Sequence, residues 1–283
     1  MITNLEPGKI LFDYGPMQIV LSAFADTRPM EEELTAAANY GAHLLGQISD
    51  HLAEAKKSGG QSSSRGLPPL LQKMKKAAAV VEDETLTPMA AVAGTVADEL
   101  TEFLVKKGAT QAVVNNGGDI AFQIAKTDKI SVGLCSSLFQ DTHTHLIQFY
   151  GGDGYGGVAT SGLGGRGFTC GIASAVTVLA KSAAVADACA TFLANCTYTP
   201  DAGIIRRCAA EIDPQTDIPD ALVTVGLKNI RPEVFQQGIN NSLLISRKLL
   251  QEEIIKGVVI FAGPYMSVLP PALASRVKER KVS

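Results

Sequence analysis

The chain of 283 residues has 46% hydrophobic and 19% charged residues, a composition that indicates an ordered globular protein and excludes a disordered one. A formal net charge of -3 at pH 7 gives no general attraction to nucleic acid, so we expect no nucleic-acid partner. Five cysteines without a C-x-x-C pair, an N-terminus without a signal pattern and no uncharged apolar run near roughly 18 residues predict a cytoplasmic protein that contacts no membrane.

Apolar periodicity and turn residues predict the regular elements. Runs of β-branched and aromatic residues bounded by turn residues predict strands, namely Lys9–Tyr14, Met17–Ala25, Gln111–Asn115, Asp119–Ala125, Lys129–Leu134, Thr142–Tyr150, Ala173–Ala180, Ala221–Leu227 and Val258–Ala262. Repeats at helical spacing predict helices, namely Thr27–Ser58, Pro68–Val81, Thr87–Gly108, Ser182–Asn195 and Ser242–Lys256. Because strands and helices mix without βαβ regularity, the predicted fold class is α+β, with largely antiparallel sheets packed by helices in a single unit, 1–283, or in two intimate lobes.

Two glycine-containing segments of the first half suggest special backbone positions. Residues 59–66 (GGQSSSRG) predict a flexible loop, which fits either a disordered connection, the favoured interpretation, or a lid over a site. Gly94 lies among alanines in the third predicted helix, where glycine costs about 1 kcal/mol against alanine, so we expect close approach of another group. Ordinary helix-on-helix packing would explain that approach equally well.

A predicted tight turn brings polar side chains together between two strands. Gly117 and Gly118 can adopt the positive φ angles of a two-residue hairpin loop. Asn115, Asn116 and Asp119 surround this turn, whose backbone N–H groups can hold an anion or a polar ring edge. A hairpin without any binding role is the alternative.

The stretch from Val158 to Asn195 contains the main candidate for a site. Asp187 and Thr191 lie four residues apart in its predicted helix, so both oxygens leave the helix on the same side. One helix face is expected to form a core stripe of Val185, Cys189, Phe192 and Cys196, and another carries the small residues Ala183, Ala190 and Ala194. We interpret the small-residue face as a ligand face, and tight helix packing with a solvated Asp187 is the alternative.

Four sequence blocks in this order resemble the FAD:protein FMN transferase superfamily: PMAAVAG, VVNNGGDIAF, VATSG and VTVLAKSAAVADACATFLAN. The resemblance covers roughly residues 86–195 and is closest to an uncharacterised bacterial and archaeal branch of that superfamily. Each block alone is a weak signal, whereas four in the right order are a strong one. The resemblance implies an ApbE-like architecture in which FAD lies against the G-G-D turn and the T-S-G loop, with a divalent cation on its diphosphate.

The resemblance also implies roles for individual residues. It implies flavin-side contacts at Gly117, Gly118, Asp119, Thr160, Ser161 and Gly162. With the turn residue Asn115, these residues form the predicted cofactor-binding set. Asp187 and Thr191 are the implied metal ligands, and a backbone carbonyl near Ala91 or Val92 would complete the set. A carboxylate and a hydroxyl are hard oxygen donors, which suit Mg²⁺ or Ca²⁺ better than zinc.

The sequence departs from the active transferases at the reacting groups. Ala93 stands where they carry a lysine before the helix glycine. Their H-x-x-D-P-x-T-G segment is missing, because the interval Leu163–Ser174 contains neither histidine nor aspartate. No catalytic residue is therefore assigned.

Three functions remain compatible with the sequence. The first is an ApbE-like enzyme or former enzyme that binds a flavin, FAD or FMN, or another diphosphate nucleotide through a divalent cation. The second is a non-catalytic binding or assembly protein that kept the fold and lost the FMN-transferase chemistry. The third is an enzyme that acts on a different diphosphate substrate. The sequence does not rank the last two, and it does not indicate an oligomeric state.

Overall fold

The computed structural model describes residues 1–58, 66–137 and 144–280. The predicted flexible loop at 59–66 lies outside the described residues apart from Gly66, as does the start of the strand predicted at Thr142. The strands are β1 (Ile2–Glu6), β2 (Lys9–Tyr14), β3 (Met17–Ala25), β4 (Arg28–Pro29), β5 (Gln111–Asn116), β6 (Asp119–Gln123), β7 (Lys129–Leu134), β8 (His145–Tyr150), β9 (Gly157–Ser161), β10 (Ala175–Ala180), β11 (Ile204–Cys208), β12 (Leu222–Leu227), β13 (Gly257–Ala262), β14 (Tyr265–Leu269) and β15 (Val277–Glu279).

Seven helices accompany these strands in the described ranges. They are α1 (Glu31–Asp50), α2 (Leu52–Ala55), α3 (Pro69–Ala79), α4 (Val92–Lys106), α5 (Ala183–Asn195), α6 (Ala209–Ile212) and α7 (Pro232–Gln251). Short 3₁₀ segments occur at Pro88–Ala91 and Pro271–Arg276. Among the described residues, no helix combines the length and the apolar character that crossing a bilayer requires.

The first of two compact units comprises Met1–Ile130, Tyr150–Ala159 and Ala180–Ala188. Its strands follow the order β1-β2-β3-β5-β6-β9, and each neighbouring pair in this order is antiparallel. Helices α1, α3 and α4 pack on one another and supply apolar side chains to the core of this unit. Large side chains that are fully buried in it include Ile19, Leu21, Leu34, Met74, Leu100 and Leu104.

The second unit comprises Ser131–Phe149, Thr160–Leu179 and Cys189–Ser283. Strand β9 and helix α5 begin in the first unit and end in this one. The strand order here is β9-β10-β13-β14, with α7 packed on β13 and β14. Separate small sheets pair β11 with β12 and place β8 between β15 and β7. The predicted α+β class with largely antiparallel sheets is thus confirmed.

The first predicted helix starts later than expected and is interrupted. Arg28 and Pro29 form β4 by pairing with the end of β3, so the chain is still extended at the proline that was taken for the first helical turn. The helix begins at Glu31 and ends at Asp50, and His51 separates it from the short α2. Strand pairing therefore overrode the local cap-and-proline signal.

The last predicted helix is displaced toward the N-terminus. Helix α7 begins at Pro232, in the first helical turn where proline is favoured, rather than at Ser242. It ends at Gln251, and Gly257 is the first residue of β13 rather than a helix cap. The sequence prediction also missed β1, β9, β11, β14 and β15 and the short helix α6.

Candidate functional site

A carboxylate from another helix closes the N-terminus of α4. Asp187 on α5 accepts a hydrogen bond from the backbone N–H of Gly94 at 2.9 Å, and the backbone N–H of Ala93 bonds to the same carboxylate. Both amides lie in the first turn of α4, where N–H groups have no partner within the helix. Negative charge is favoured at this end of a helix by the aligned peptide dipoles. Asp187 therefore caps α4 from outside.

The N-terminus of α5 is closed in the same way by a carboxylate of α4. The two oxygens of Asp98 accept hydrogen bonds from the backbone N–H groups of Ala183 and Ala184, at 2.8 and 2.9 Å. The next amide, that of Val185, donates to the hydroxyl of Ser182 at 3.3 Å, as the predicted N-cap requires. The first three amides of α5 are thus all satisfied, and the two helices cap each other.

The start of α5 packs closely against the backbone of two glycines, Gly94 and Gly157. A Cβ atom at Gly94 would lie 2.2 Å from the carbonyl oxygen of Ala183, and one at Gly157 would lie 2.2 Å from the Ala183 nitrogen. Real Cβ contacts are never this short, so only glycine fits at either position. The close approach predicted for Gly94 is confirmed, and its partner is backbone.

The carboxylates of this region are electrostatically unfavourable to one another. Burial raises the pKa of Asp187 well above its ordinary value, the nearby Asp119 carboxylate raises it further, and the amides of α4 offset part of that effect. Burial likewise raises the pKa of Asp98, from 3.8 to about 6, against the lowering effect of its two amide donors. The first unit thus gathers negative charge beside the starts of α4 and α5.

The predicted tight turn is present between β5 and β6. Gly117 and Gly118 have φ angles of 69° and 113°, a conformation that favours glycine. The side-chain oxygen of Asn115 accepts a hydrogen bond from the Gly118 N–H at 2.8 Å. That amide is therefore already engaged within the turn.

The same turn is tied to the start of α4. The side-chain amide of Asn116 donates to the Ala93 carbonyl oxygen at 3.2 Å, and Asn116 pairs with Asp119 across the hairpin. Asn116 is buried, whereas Asp119 is partly exposed. Within the first unit, the turn, the start of α4 and the Asp187 carboxylate therefore come together.

The T-S-G residues belong to the second unit. Thr160 and Ser161 end β9, and the Thr160 hydroxyl lies 2.8 Å from that of Thr177. Gly162 has a φ of 143°, and a Cβ there would lie 2.9 Å from the Ser174 carbonyl oxygen. The glycine of this block is thus required by conformation and by space.

Thr191 follows Asp187 by one turn along α5, as predicted. Both residues are partly exposed, whereas the surrounding alanines are buried. Since residues four apart on a helix lie on one side, the hydroxyl and the carboxylate keep the spacing inferred from sequence.

The predicted division of α5 into a core stripe and an open small-residue face is wrong. The small residues Ala183, Ala190 and Ala194 are 0% exposed, while Val185, Phe192 and Cys196 are partly exposed. Gly171 shows the reason in the second unit, because a Cβ there would lie 1.8 Å from the Ala194 carbonyl oxygen. The alanines therefore serve tight packing.

The donor set of the first unit fits a hard divalent cation. In residues 1–58, 66–137 and 144–280, no three His, Cys, Asp or Glu side chains are grouped as a metal site. A cation here would rely on one or two carboxylates completed by hydroxyl, carbonyl or water oxygens, which is the manner in which Mg²⁺ is usually held. An ionised carboxylate accepts about four hydrogen bonds, so the two amides on Asp187 leave acceptor capacity.

Sequence reasoning missed two residues of this region. Asp98 lies 85 residues from Ala183, and Asn116 was assigned to the turn without its bond to Ala93. Helical periodicity gives no signal for a contact between distant segments. The sequence contains one indirect indication of Asp98. Ser182 alone could not accept hydrogen bonds from every free amide at the start of α5, so another acceptor was needed.

Curated relatives of this chain include proteins named UPF0280 protein. That of Methanothrix thermoacetophila is 35% identical over 159 residues, which are 56% of this chain and 64% of the relative. That of Methanococcus aeolicus is 30% identical over 162 residues, which are 56% of this chain and 63% of the relative. The alignments therefore span less than two thirds of the length of these relatives.

The fold is shared with a solved flavin transferase. A point mutant of the flavin transferase ApbE from Vibrio cholerae aligns with a TM-score of 0.52 at 11% identity, over 92% of this chain and 95% of that chain. At this identity the likeness concerns the fold alone. A family model described as AbpE bacteria matches residues 3–268 of the 283, which with this fold confirms the predicted resemblance. The chain belongs to the AbpE bacteria family.

Proposed function

We propose that this chain binds a flavin or another diphosphate nucleotide through a divalent cation, Mg²⁺ or Ca²⁺, held at the Asp187 carboxylate. The observation that carries the proposal is the meeting of three features in the first unit. Asp187 sits at the start of α4, the polar hairpin turn is bonded to the same helix start, and Asp119 follows that turn.

The electrostatics of the first unit support a cation at this position. Burial and the charge of Asp119 both raise the pKa of Asp187, so the ionised pair is destabilised as it stands. When bound, a divalent cation would offset the charge of these carboxylates and of a diphosphate. Asp187 would then accept from the α4 amides and ligate with its remaining lone pairs.

The other site residues are proposed in the roles that the resemblance implies. Thr191 would add a hydroxyl ligand one turn along α5 from Asp187. The flavin-side contacts proposed are Asn115, Gly117, Gly118, Asp119, Thr160, Ser161 and Gly162. The Vibrio cholerae protein is named a flavin transferase, which supports a flavin, FAD or FMN, as the nucleotide.

A non-catalytic binding or assembly role is the second candidate, and specific observations favour it. Ala93 replaces the lysine of the active transferases, and its backbone N–H is used to bond Asp187. The interval Leu163–Ser174 offers Arg166, Thr169 and Cys170 as polar or reactive side chains. Arginine stays protonated and is a poor base, so no proton acceptor for a threonine hydroxyl is evident there. An enzyme that acts on a different diphosphate substrate remains compatible with the same cation site.

Thermal unfolding with and without nucleotide tests the proposal. FAD, FMN, ADP and ATP would each be added with and without Mg²⁺ to the wild type, to Asp187→Asn and to Asp50→Asn. Asp50 is an exposed aspartate at the end of α1 and serves as the matched control. A ligand present at a hundred times its Kd should stabilise the folded state by about 2.7 kcal/mol, in the wild type and the control but not in Asp187→Asn. Absence of a shift with all four nucleotides would contradict the proposal.

A further inference from the structure

Asp98 is a partly buried carboxylate to which the proposed function assigns no role. It projects from α4, and both of its oxygens are engaged by the first two amides of α5, at 2.8 and 2.9 Å. Asp187 lies one turn further along α5 and returns to the first turn of α4, at 2.9 Å from the Gly94 nitrogen. Each helix thus carries the carboxylate that satisfies the other.

We propose that Asp98 is a positioning residue that holds Asp187 in place at the start of α4. By fixing the first turn of α5, it sets where the side chain four residues later can reach. The inference rests on the proposed function in one respect, namely that Asp187 is the ligand being positioned. It assigns Asp98 no contact with metal or nucleotide.

The packing beside this pair leaves little freedom for α5 to move alone. Gly94 faces the Ala183 carbonyl so closely that even a Cβ atom would lie 2.2 Å away. The Gly94 nitrogen and the Asp187 oxygen are 2.9 Å apart, so a displacement of about 0.6 Å would take them beyond hydrogen-bonding distance. A small movement of the first turn of α5 would therefore break the Asp187–Gly94 bond, and the Asp98 bonds oppose that movement.

Ser182 offers a matched comparison at the same helix end. Its hydroxyl caps the third amide of α5 at 3.3 Å, which is longer than either Asp98 bond, and it is a neutral acceptor. Charge-assisted hydrogen bonds are shorter and roughly twice as strong as neutral ones. Removal of the serine hydroxyl should thus weaken the cap of α5 without releasing Asp187.

Hydrogen exchange measured by NMR tests the proposal at an amide that Asp98 does not touch. In Asp98→Asn, exchange at the Gly94 amide should accelerate by about tenfold or more relative to core amides of α4, because Asp187 is no longer held. Ser182→Ala should leave Gly94 exchange close to that of the wild type. Asp98→Glu, which keeps the carboxylate, should restore part of the protection and replaces Asp98→Asn if the latter fails to fold. Unchanged exchange at Gly94 in the folded Asp98 variants would overturn the inference.

Titration with Mn²⁺ as a probe cation separates this inference from the proposed function. Affinity for Mn²⁺ should fall by about tenfold in Asp98→Asn and be lost in Asp187→Ala, since both reduce the carboxylate available at the start of α4. If Asp187→Ala bound Mn²⁺ as the wild type does, the proposed metal site would be wrong. The exchange rate at Gly94 would still decide whether Asp98 positions Asp187.

Discussion

Replacing Gly94 by alanine should destabilise this protein, although the same change normally stabilises a helix. In a helix interior, alanine is favoured over glycine by about 1 kcal/mol. Here the added Cβ would lie 2.2 Å from the oxygen and 2.5 Å from the carbon of the Ala183 carbonyl. To relieve this clash, α5 must move by about 1 Å. Overpacking of this kind typically destabilises the folded state by about 1–3 kcal/mol.

That movement would also break hydrogen bonds at both helix starts. The bonds at risk are those from Gly94 to Asp187 and from Ala183 and Ala184 to Asp98, each 2.8–2.9 Å long. Loss of a helix cap costs about 1 kcal/mol. After subtraction of the gain in helix propensity, the net loss in the free energy of unfolding should be about 2–4 kcal/mol.

Gly46→Ala supplies the matched control for this prediction. Gly46 is an exposed position inside α1, and a Cβ there would meet no atom within 4 Å. Urea denaturation should therefore show Gly46→Ala to be more stable than the wild type and Gly94→Ala to be less stable. A Gly94→Ala variant as stable as the wild type would refute the close approach of α5 to α4.

Three further predictions concern the turn, the pH dependence and the chemistry. Gly118→Val should destabilise the hairpin and weaken nucleotide binding through backbone strain alone, because φ is 113° and no atom lies within 4 Å of the new Cβ; normal binding by this variant would make the turn purely structural. Since the folded state holds the Asp98 proton more tightly, with a pKa of about 6 against 3.8, the free energy of unfolding should fall by up to about 3 kcal/mol as pH rises from 4 to 7. An equally steep pH profile in Asp98→Asn would assign this fall to other groups. Finally, incubation with FAD, Mg²⁺ and an acceptor protein should give no efficient transfer of FMN to threonine, since Ala93 replaces the lysine; efficient flavinylation that is lost in Asp187→Ala would contradict this expectation.

Local patterns predicted the features whose physical cause is local. The hairpin turn at Gly117 and Gly118 follows from the conformational freedom of two consecutive glycines, and the cap at Ser182 follows from a hydroxyl before a helical repeat. Gly94 could be predicted to mark a close approach, because a mid-helix glycine is otherwise unfavourable. In each case the sequence neighbours supply the reason.

The features that the sequence did not predict depend on tertiary contacts. Asp98 meets α5 across 85 residues of chain, so periodicity within α4 gives no indication of its partner. The prediction assigned the exposed side of α5 to the wrong face of the helix. Its alanines are enclosed by other parts of the chain, and the periodicity of one segment does not show such contacts. The first helix begins after the position predicted for it because Arg28 and Pro29 pair with the end of β3 as a short strand.

The family and the fold are consistent with the proposed function but do not establish it. The family match covers residues 3–268, and the fold is that of a protein named a flavin transferase. The alignments with the Methanothrix thermoacetophila and Methanococcus aeolicus relatives each cover 56% of the chain. Flavin and metal binding, the flavin-side residues, the flexible loop and the cytoplasmic location stay predictions.

Titration calorimetry of FAD into the protein tests the central claim most directly. We predict binding in the presence of Mg²⁺, loss of that binding in EDTA, and loss in Asp187→Ala even with Mg²⁺. Removal of the Asp187 cap from α4 should cost about 1 kcal/mol, so the variant is expected to remain folded, and a melting curve without ligand checks this. Equal FAD affinity in folded Asp187→Ala, or affinity that EDTA does not change, would contradict a nucleotide site that depends on a cation held by Asp187.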